Sequence, residues 1–215
     1  EIMPSLVGSE MCIRDRRHTM RDHKRILYNG NNYSEEWIKE AESRGLAHLP
    51  TTVDAMHCFI SEKNISLFTR WGIYTEREMR SRYDISLENY AKLIRIEAST
   101  MLSMAQRSIL PAVIGYESKI AEAVSAKDRL GVPNDAEYAL LKGLSAGVNA
   151  LHKRIGGLFD AIAAMPKGNG EAAEYCRDKL LPAMGSLREA ADALETITAK
   201  EYWPFPGYED LLFNL

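Results

Sequence analysis

Between Tyr83 and Ala105 the residues Tyr83, Leu87, Tyr90, Ile94, Ala98, Met101 and Ala105 recur at intervals of 4, 3, 4, 4, 3 and 4. That spacing lays one stripe along an α-helix. Thr75 and Glu78 stand ahead of it as Thr-x-x-Glu, the capping box that satisfies the first orphan amides of a helix. Pro111 removes a donor and crowds the preceding turn, so it is expected to kink or divide this helix, which resumes to about Arg129. Gly131 and Pro133 make the break. A second run, Tyr138, Leu141, Leu144, Val148, Leu151, Ile155, Leu158 and Ile162, starts near Asn134 and Asp135 and is spaced like a bundle seam. Met165 and Pro166 end it, and KGNG (167–170) forms a polar turn. A third run follows with Cys176, Leu180, Met184, Leu187, Ala191 and Leu194, bent at Pro182. Three long helices with short breaks predict an antiparallel bundle.

Shorter helices precede it. Asn29 and Gly30 mark a turn, and Ser34 is an N-cap with Glu35 and Glu36 at the positive end of the helix dipole. This helix runs to Arg44 and stops at Gly45. Pro50, Thr51 and Thr52 open another through Ile60, and Ser61 with Glu62 opens a third that ends before Gly72. No segment sustains an apolar–polar alternation, and RILY (25–28) is the one place for a short strand. The predicted class is all-α: short helix-turn-helix steps, a bundle of long helices, and an aromatic tail.

The tail, EYWPFPGYEDLLFNL (201–215), carries Trp203, Phe205, Tyr208, Leu211, Leu212 and Phe213. Disordered ends are poor in such residues, so the tail is expected to be packed. At the other end, EIMPSLVGSEMCIRDR (1–16) has no helical period, and its charges follow its apolar patch, unlike a signal peptide. It resembles translated read-through of a sequencing adapter and is set aside from the fold; an ordinary disordered arm is the alternative. On this reading the true chain begins further upstream.

Composition narrows the function classes. Hydrophobic residues make up 46% and charged residues 27% of 215, enough for a packed core. A net charge of −3 provides no global attraction to nucleic acid or anionic membrane, and no apolar run reaches the roughly 18 residues that would mark a membrane span. Three dispersed cysteines, Cys12, Cys58 and Cys176, fit a reducing, cytoplasmic setting better than a disulfide framework. RRHTMRDHKR (16–25), the basic cluster, lacks interleaved aromatics and is read as an exposed helix turn.

A catalytic centre is not legible. His18, His23, His48, His57 and His152 form no His-x-x-x-His pair, the spacing that puts two imidazoles on one helix face. There is no Cys-x-x-Cys, no Gly-x-Ser-x-Gly elbow and no phosphate-cradling loop. Metal, cofactor and catalytic residues are therefore all assigned as none. Gly143, Gly147, Gly156 and Gly157 are read as sites of close helix contact. Arg82, Glu88, Arg95 and Glu97, near the long stripe, fit either ion-paired core residues or the edge of an interface.

Longer strings carry a resemblance. RILYNGNNYSEEWIKEAESRGL (25–46), LPTTVDA (49–55), SRYDISLENY (81–90), IRIEA (94–98) and WPFPGYEDLLF (203–213) resemble, in order, the C-terminal part of type III glutamine synthetases. The resemblance implies a parent that joins glutamate and ammonia using ATP, with Mg2+ or Mn2+, through a γ-glutamyl phosphate. It places the metal and phosphoryl-binding groups upstream of this chain, so the fragment is expected to be inactive and to bind no cofactor alone. It divides the chain into a leader (1–16), the end of the catalytic domain (17–74), a helical extension (75–200) and the tail (201–215). The implied role is buttressing the catalytic region and contacting other subunits of a homo-oligomer, with no nucleic-acid or membrane partner. The alternative is a free-standing helical interaction module.

Overall fold

The computed structural model describes residues 10–212, and every regular element among them is helical. Residues 1–9 of the leader and Phe213 of the tail lie outside the described residues. Two compact units, 1–50 and 51–215, divide the chain.

In the first unit α1 (Glu10–Asp22) begins inside the leader segment and carries the basic cluster as an exposed helix. A 3-10 turn (Lys24–Ile26) follows, and then α2 (Glu35–Ser43). Ser34 caps α2 by accepting the Trp37 amide. Gly45 ends it at φ +72°, where the Gly45 amide donates to the Glu42 carbonyl and the Leu46 amide to that of Ala41. This pair of hydrogen bonds is the Schellman stop that a left-handed glycine permits. The strand expected at 25–28 is not formed: a 3-10 turn occupies Lys24–Ile26, and Leu27, though extended, pairs in no ladder. A lone extended segment has no neighbour to complete a ladder. Instead Arg44 Nη1 donates to the carbonyls of Leu27 (2.7 Å) and Arg25 (3.3 Å), while Tyr28 stacks on Trp37 at 4.4 Å.

The second unit opens with α3 (Thr52–Phe59) and α4 (Glu62–Arg70), which end close to the residues the sequence indicates. The Thr75–Glu78 capping box then launches α5 (Glu76–Met104). Pro111 does not divide this rod. A π-helical turn (Ala105–Ile109) precedes it and α6 (Leu110–Leu130) continues, with the Leu110 amide donating to Ala105, five residues back. A widened turn relieves the clash that the proline ring would otherwise make with the carbonyl four residues earlier. The same solution recurs where α8 (Asn169–Tyr175) passes through a π turn (Cys176–Leu180) into α9 (Leu181–Glu195), with Pro182 just beyond. Between these rods runs α7 (Asp135–Ala163).

Short connections make the three rods antiparallel neighbours. α7 packs against α6 and α9, and α8 packs against α5. The core is the union of the three stripes: Ile94, Ala98 and Ala105 from the first, Leu144, Leu151, Ile155 and Leu158 from the second, and Cys176, Leu180, Leu187 and Leu194 from the third. Tyr138 is a correction to the second stripe, since it stands 52% exposed at the start of α7. The glycines divide. A methyl at Gly147 would lie 2.4 Å from Leu194 Cδ2, which marks a close helix contact, whereas one at Gly143 would meet only Ile197, in the turn after α9, at an ordinary 3.7 Å. Gly156 and Gly157 face open space, which corrects their assignment.

The tail divides too. Trp203 and Phe205 pack against the core and Tyr202 meets the Tyr116 ring at 5.1 Å. In α10 (Tyr208–Leu212), by contrast, Tyr208, Leu211 and Leu212 are exposed.

Candidate functional site

The densest polar constellation lies where α3 meets the bundle. Thr51 caps α3 by accepting the Asp54 amide, and its hydroxyl donates to Asp54 Oδ2 at 2.5 Å. This fixes the Asp54 carboxylate in the first turn, where the helix dipole favours it. Its other oxygen, Oδ1, accepts from Arg177 Nη1 at 2.6 Å. Arg177 belongs to the π turn before Pro182, and its Nε and Nη2 also hold both oxygens of Asp178, at 2.6 and 2.9 Å. One guanidinium thus bridges two carboxylates, using the planar donor fork that lysine lacks. The bonds to Asp178 raise the Arg177 pKa above its ordinary value, and the same bonds lower that of Asp178.

Beneath this latch is an apolar patch of Val53, Leu87 and Ala173, all buried, with Met56, Tyr83 and Tyr90 around it. Burial raises the pKa of Tyr83, helped by the nearby Glu174 charge. The Tyr83 hydroxyl is 3.2 Å from His57 Nδ1, and His57 Nε2 is 3.9 Å from Glu174. Cys176 lies alongside, fully buried, with its thiol 3.9 Å from the Ala91 carbonyl and its pKa raised by burial. A thiol held protonated in an apolar wall is the opposite of an activated nucleophile. The arrangement can hold a short helix on a bundle.

His48, His57 and His152 are all exposed. Of the charges flanking the long stripe, Arg82, Arg95 and Glu97 are exposed, and Glu88 is half-buried and paired with Lys92 at 2.5 Å. None is an ion-paired core residue. Arg82 lies over the Tyr74 ring at 4.7 Å. Among the described residues no three His, Cys, Asp or Glu side chains converge to hold a metal ion. Four carboxylates bind within the chain: Glu78 caps α5, Asp210 accepts the Gly207 amide, and Asp54 and Asp178 face Arg177. No helix among the described residues is long and apolar enough to cross a membrane.

The latch was not visible beforehand. Asp54 and Arg177 are 123 positions apart, and an isolated Arg-Asp pair in a helix reads as solvated surface. The local signal was limited to Pro50, Thr51 and Thr52 as the opening of a helix.

Fold and site together define an all-helical domain whose polar residues are used to join its own elements. A family model for the glutamine synthetase C-terminal domain matches residues 14–128, so the chain belongs to that family. Among curated proteins it is 36% identical over 206 residues to a glutamine synthetase of Butyrivibrio fibrisolvens, covering 93% of this chain and 29% of the relative. It is 34% identical over 206 residues to the type-3 glutamine synthetase of Dictyostelium discoideum, covering 92% and 28%. A glutamine synthetase of Bacteroides fragilis (strain YCH46) is 26% identical over 197 residues, covering 88% and 27%. The chain therefore spans less than a third of the length of these relatives.

Proposed function

We propose that this chain is the C-terminal helical portion of a type III glutamate–ammonia ligase, and that its work there is mechanical. The observation that carries this reading is the match of over nine tenths of the chain to under a third of two glutamine synthetases. ATP and Mg2+ or Mn2+ belong to the upstream region of the parent, which supplies the phosphoryl-binding groups in the cytoplasm. This portion ties the end of the catalytic region to a rigid bundle through the Asp54–Arg177–Asp178 latch and offers surfaces to other subunits of a homo-oligomer.

Two measurements test it. The 215-residue chain incubated with glutamate, ammonia, ATP and Mg2+ is expected to form no glutamine; turnover above a heat-treated control would sink the assignment of chemistry to the upstream region. In the parent enzyme Arg177→Met is expected to reduce thermal stability and shift the oligomer toward smaller species. If stability and assembly were unchanged, the mechanical role would be wrong.

A further inference from the structure

Two asparagines of the chain are followed by glycine, Asn29 and Asn169. Asparagine is among the thermally labile side chains. A following glycine exposes it most, because its backbone turns freely and carries no side chain in the way of the amide. The same dipeptide stands in two different settings.

Asn29 and Gly30 are exposed and belong to no helix. Among the described residues neither the Asn29 side chain nor the Gly30 amide makes a hydrogen bond. The chain is anchored on either side of them. The Leu27 carbonyl accepts from Arg44 Nη1 at 2.7 Å, and the Asn31 carbonyl accepts the Ser34 hydroxyl at 2.9 Å and its amide at 3.1 Å. Asn31 Oδ1 is itself engaged, accepting the Tyr33 amide at 3.0 Å. Glycine is fitted to position 30 by its surroundings: a Cβ there would lie 2.5 Å from the Tyr28 ring, which stacks on Trp37. The loop thus keeps the most permissive residue beside an unengaged asparagine. Asn169, by contrast, is the first residue of α8. The Gly168 carbonyl accepts the Ala172 amide at 2.7 Å and closes a turn around it. A helical backbone holds ψ at about −42°, which keeps the Gly170 nitrogen out of line with the asparagine side chain.

We propose that Asn29 is a site of deamidation and isoaspartate formation, and that α8 protects Asn169 from the same reaction. The Gly30 backbone nitrogen loses its proton to solvent base and attacks Asn29 Cγ. A bond from that nitrogen to Cγ closes a succinimide ring as the Cγ–Nδ2 bond breaks, and ammonia leaves with a proton taken from water. A second water opens the ring. Opening at Cγ leaves aspartate at position 29. Opening at the backbone carbonyl leaves isoaspartate, with the main chain routed through Cβ and Cγ. Either product puts a carboxylate where the loop was neutral, and isoaspartate lengthens the backbone between the Leu27 and Asn31 anchors.

Incubation of the 215-residue chain at mildly alkaline pH, followed by trypsin cleavage and mass spectrometry, tests the proposal. Cleavage after Arg25, Lys39, Lys167 and Arg177 puts the two asparagines in separate peptides, 26–39 and 168–177. The amide-to-acid mass change should accumulate at Asn29 about tenfold faster than at Asn169, because closing the ring at Asn169 first requires the start of α8 to open. An isoaspartyl carboxyl methyltransferase with labelled S-adenosylmethionine should mark peptide 26–39, and Asn29→Gln should abolish that label. Synthetic peptides of the two sequences should react at similar rates, which assigns the difference to the fold. No change at Asn29, or faster change at Asn31 or Asn32, overturns the site. Equal rates at Asn29 and Asn169 in the chain, or an equally large difference between the synthetic peptides, overturn the protection by α8. Label that persists in Asn29→Gln overturns the assignment to this residue.

Discussion

Gly147 offers the sharpest test of how the bundle is packed. In an exposed helix interior, alanine is favoured over glycine by about 1 kcal/mol, because the glycine backbone loses more freedom on folding. At Gly156, where an added methyl meets nothing within 4 Å, Gly156→Ala should realise that gain of about 1 kcal/mol. At Gly147 the same methyl would lie 2.4 Å from Leu194 Cδ2 and 3.0 Å from its Cγ. Leu194 is 1% exposed and has little room to retreat. Overpacking of this kind costs roughly 1–3 kcal/mol, so Gly147→Ala is expected to be net destabilising by up to about 2 kcal/mol. Urea denaturation followed by circular dichroism would read both variants on the same scale. Leu194→Ala in the wild type should leave a cavity costing about 2–5 kcal/mol. In the Gly147→Ala background its cost should be smaller by about 1 kcal/mol, since the new methyl occupies part of the space. If Gly147→Ala stabilises the chain as much as Gly156→Ala does, the close approach of α7 and α9 is not present.

Three further outcomes follow from the same geometry. Thr75→Ala removes the hydroxyl that accepts the Glu78 amide and should cost about 1 kcal/mol of stability, visible as a lower denaturation midpoint. Because Arg177 depresses the Asp178 pKa, the ionised carboxylate contributes stability that is complete above the ordinary aspartate value of about 4 and is lost as pH falls through the depressed one. Asp178→Asn should flatten the acid limb of a stability–pH curve, and an unchanged limb would show the pair to be idle. Cys58 is exposed and Cys176 is buried with a raised pKa, so a thiol reagent should label Cys58 in the native state and reach Cys176 only on unfolding. Equal labelling rates would contradict the packing of the π turn against Ala91.

Much of the fold was legible because it is locally encoded. The Thr75–Glu78 box, the Ser34 cap and the stops at Gly45, Gly72 and Gly131 each act within one helical turn, and all five operate as the sequence indicates. The three stripes named most of the core because a helix facing a bundle buries every third or fourth residue. The stripes leave out other buried residues, among them Val53, Met79, Ala91, Ile109, Val113, Val124, Ala172 and Ala173. The proline sites were found, but not the π turn that stands ahead of each ring. A sequence shows the lost donor, not the wide turn that absorbs it.

Tertiary structure alone decided the rest. Arg177 could choose between its neighbour Asp178 and the remote Asp54 only once the bundle had brought them together, and it binds both. The glycines of α7 have the same local chemistry. Gly147 is tied to a close approach and Gly156 is not, because α9 crosses one and leaves the other open. The tail's aromatic richness promised packing, yet Trp203 is held while Leu211 and Leu212 are not. Composition reports how much apolar surface a segment carries. Which part of that surface is covered depends on what lies opposite it, and that is settled between elements rather than within them.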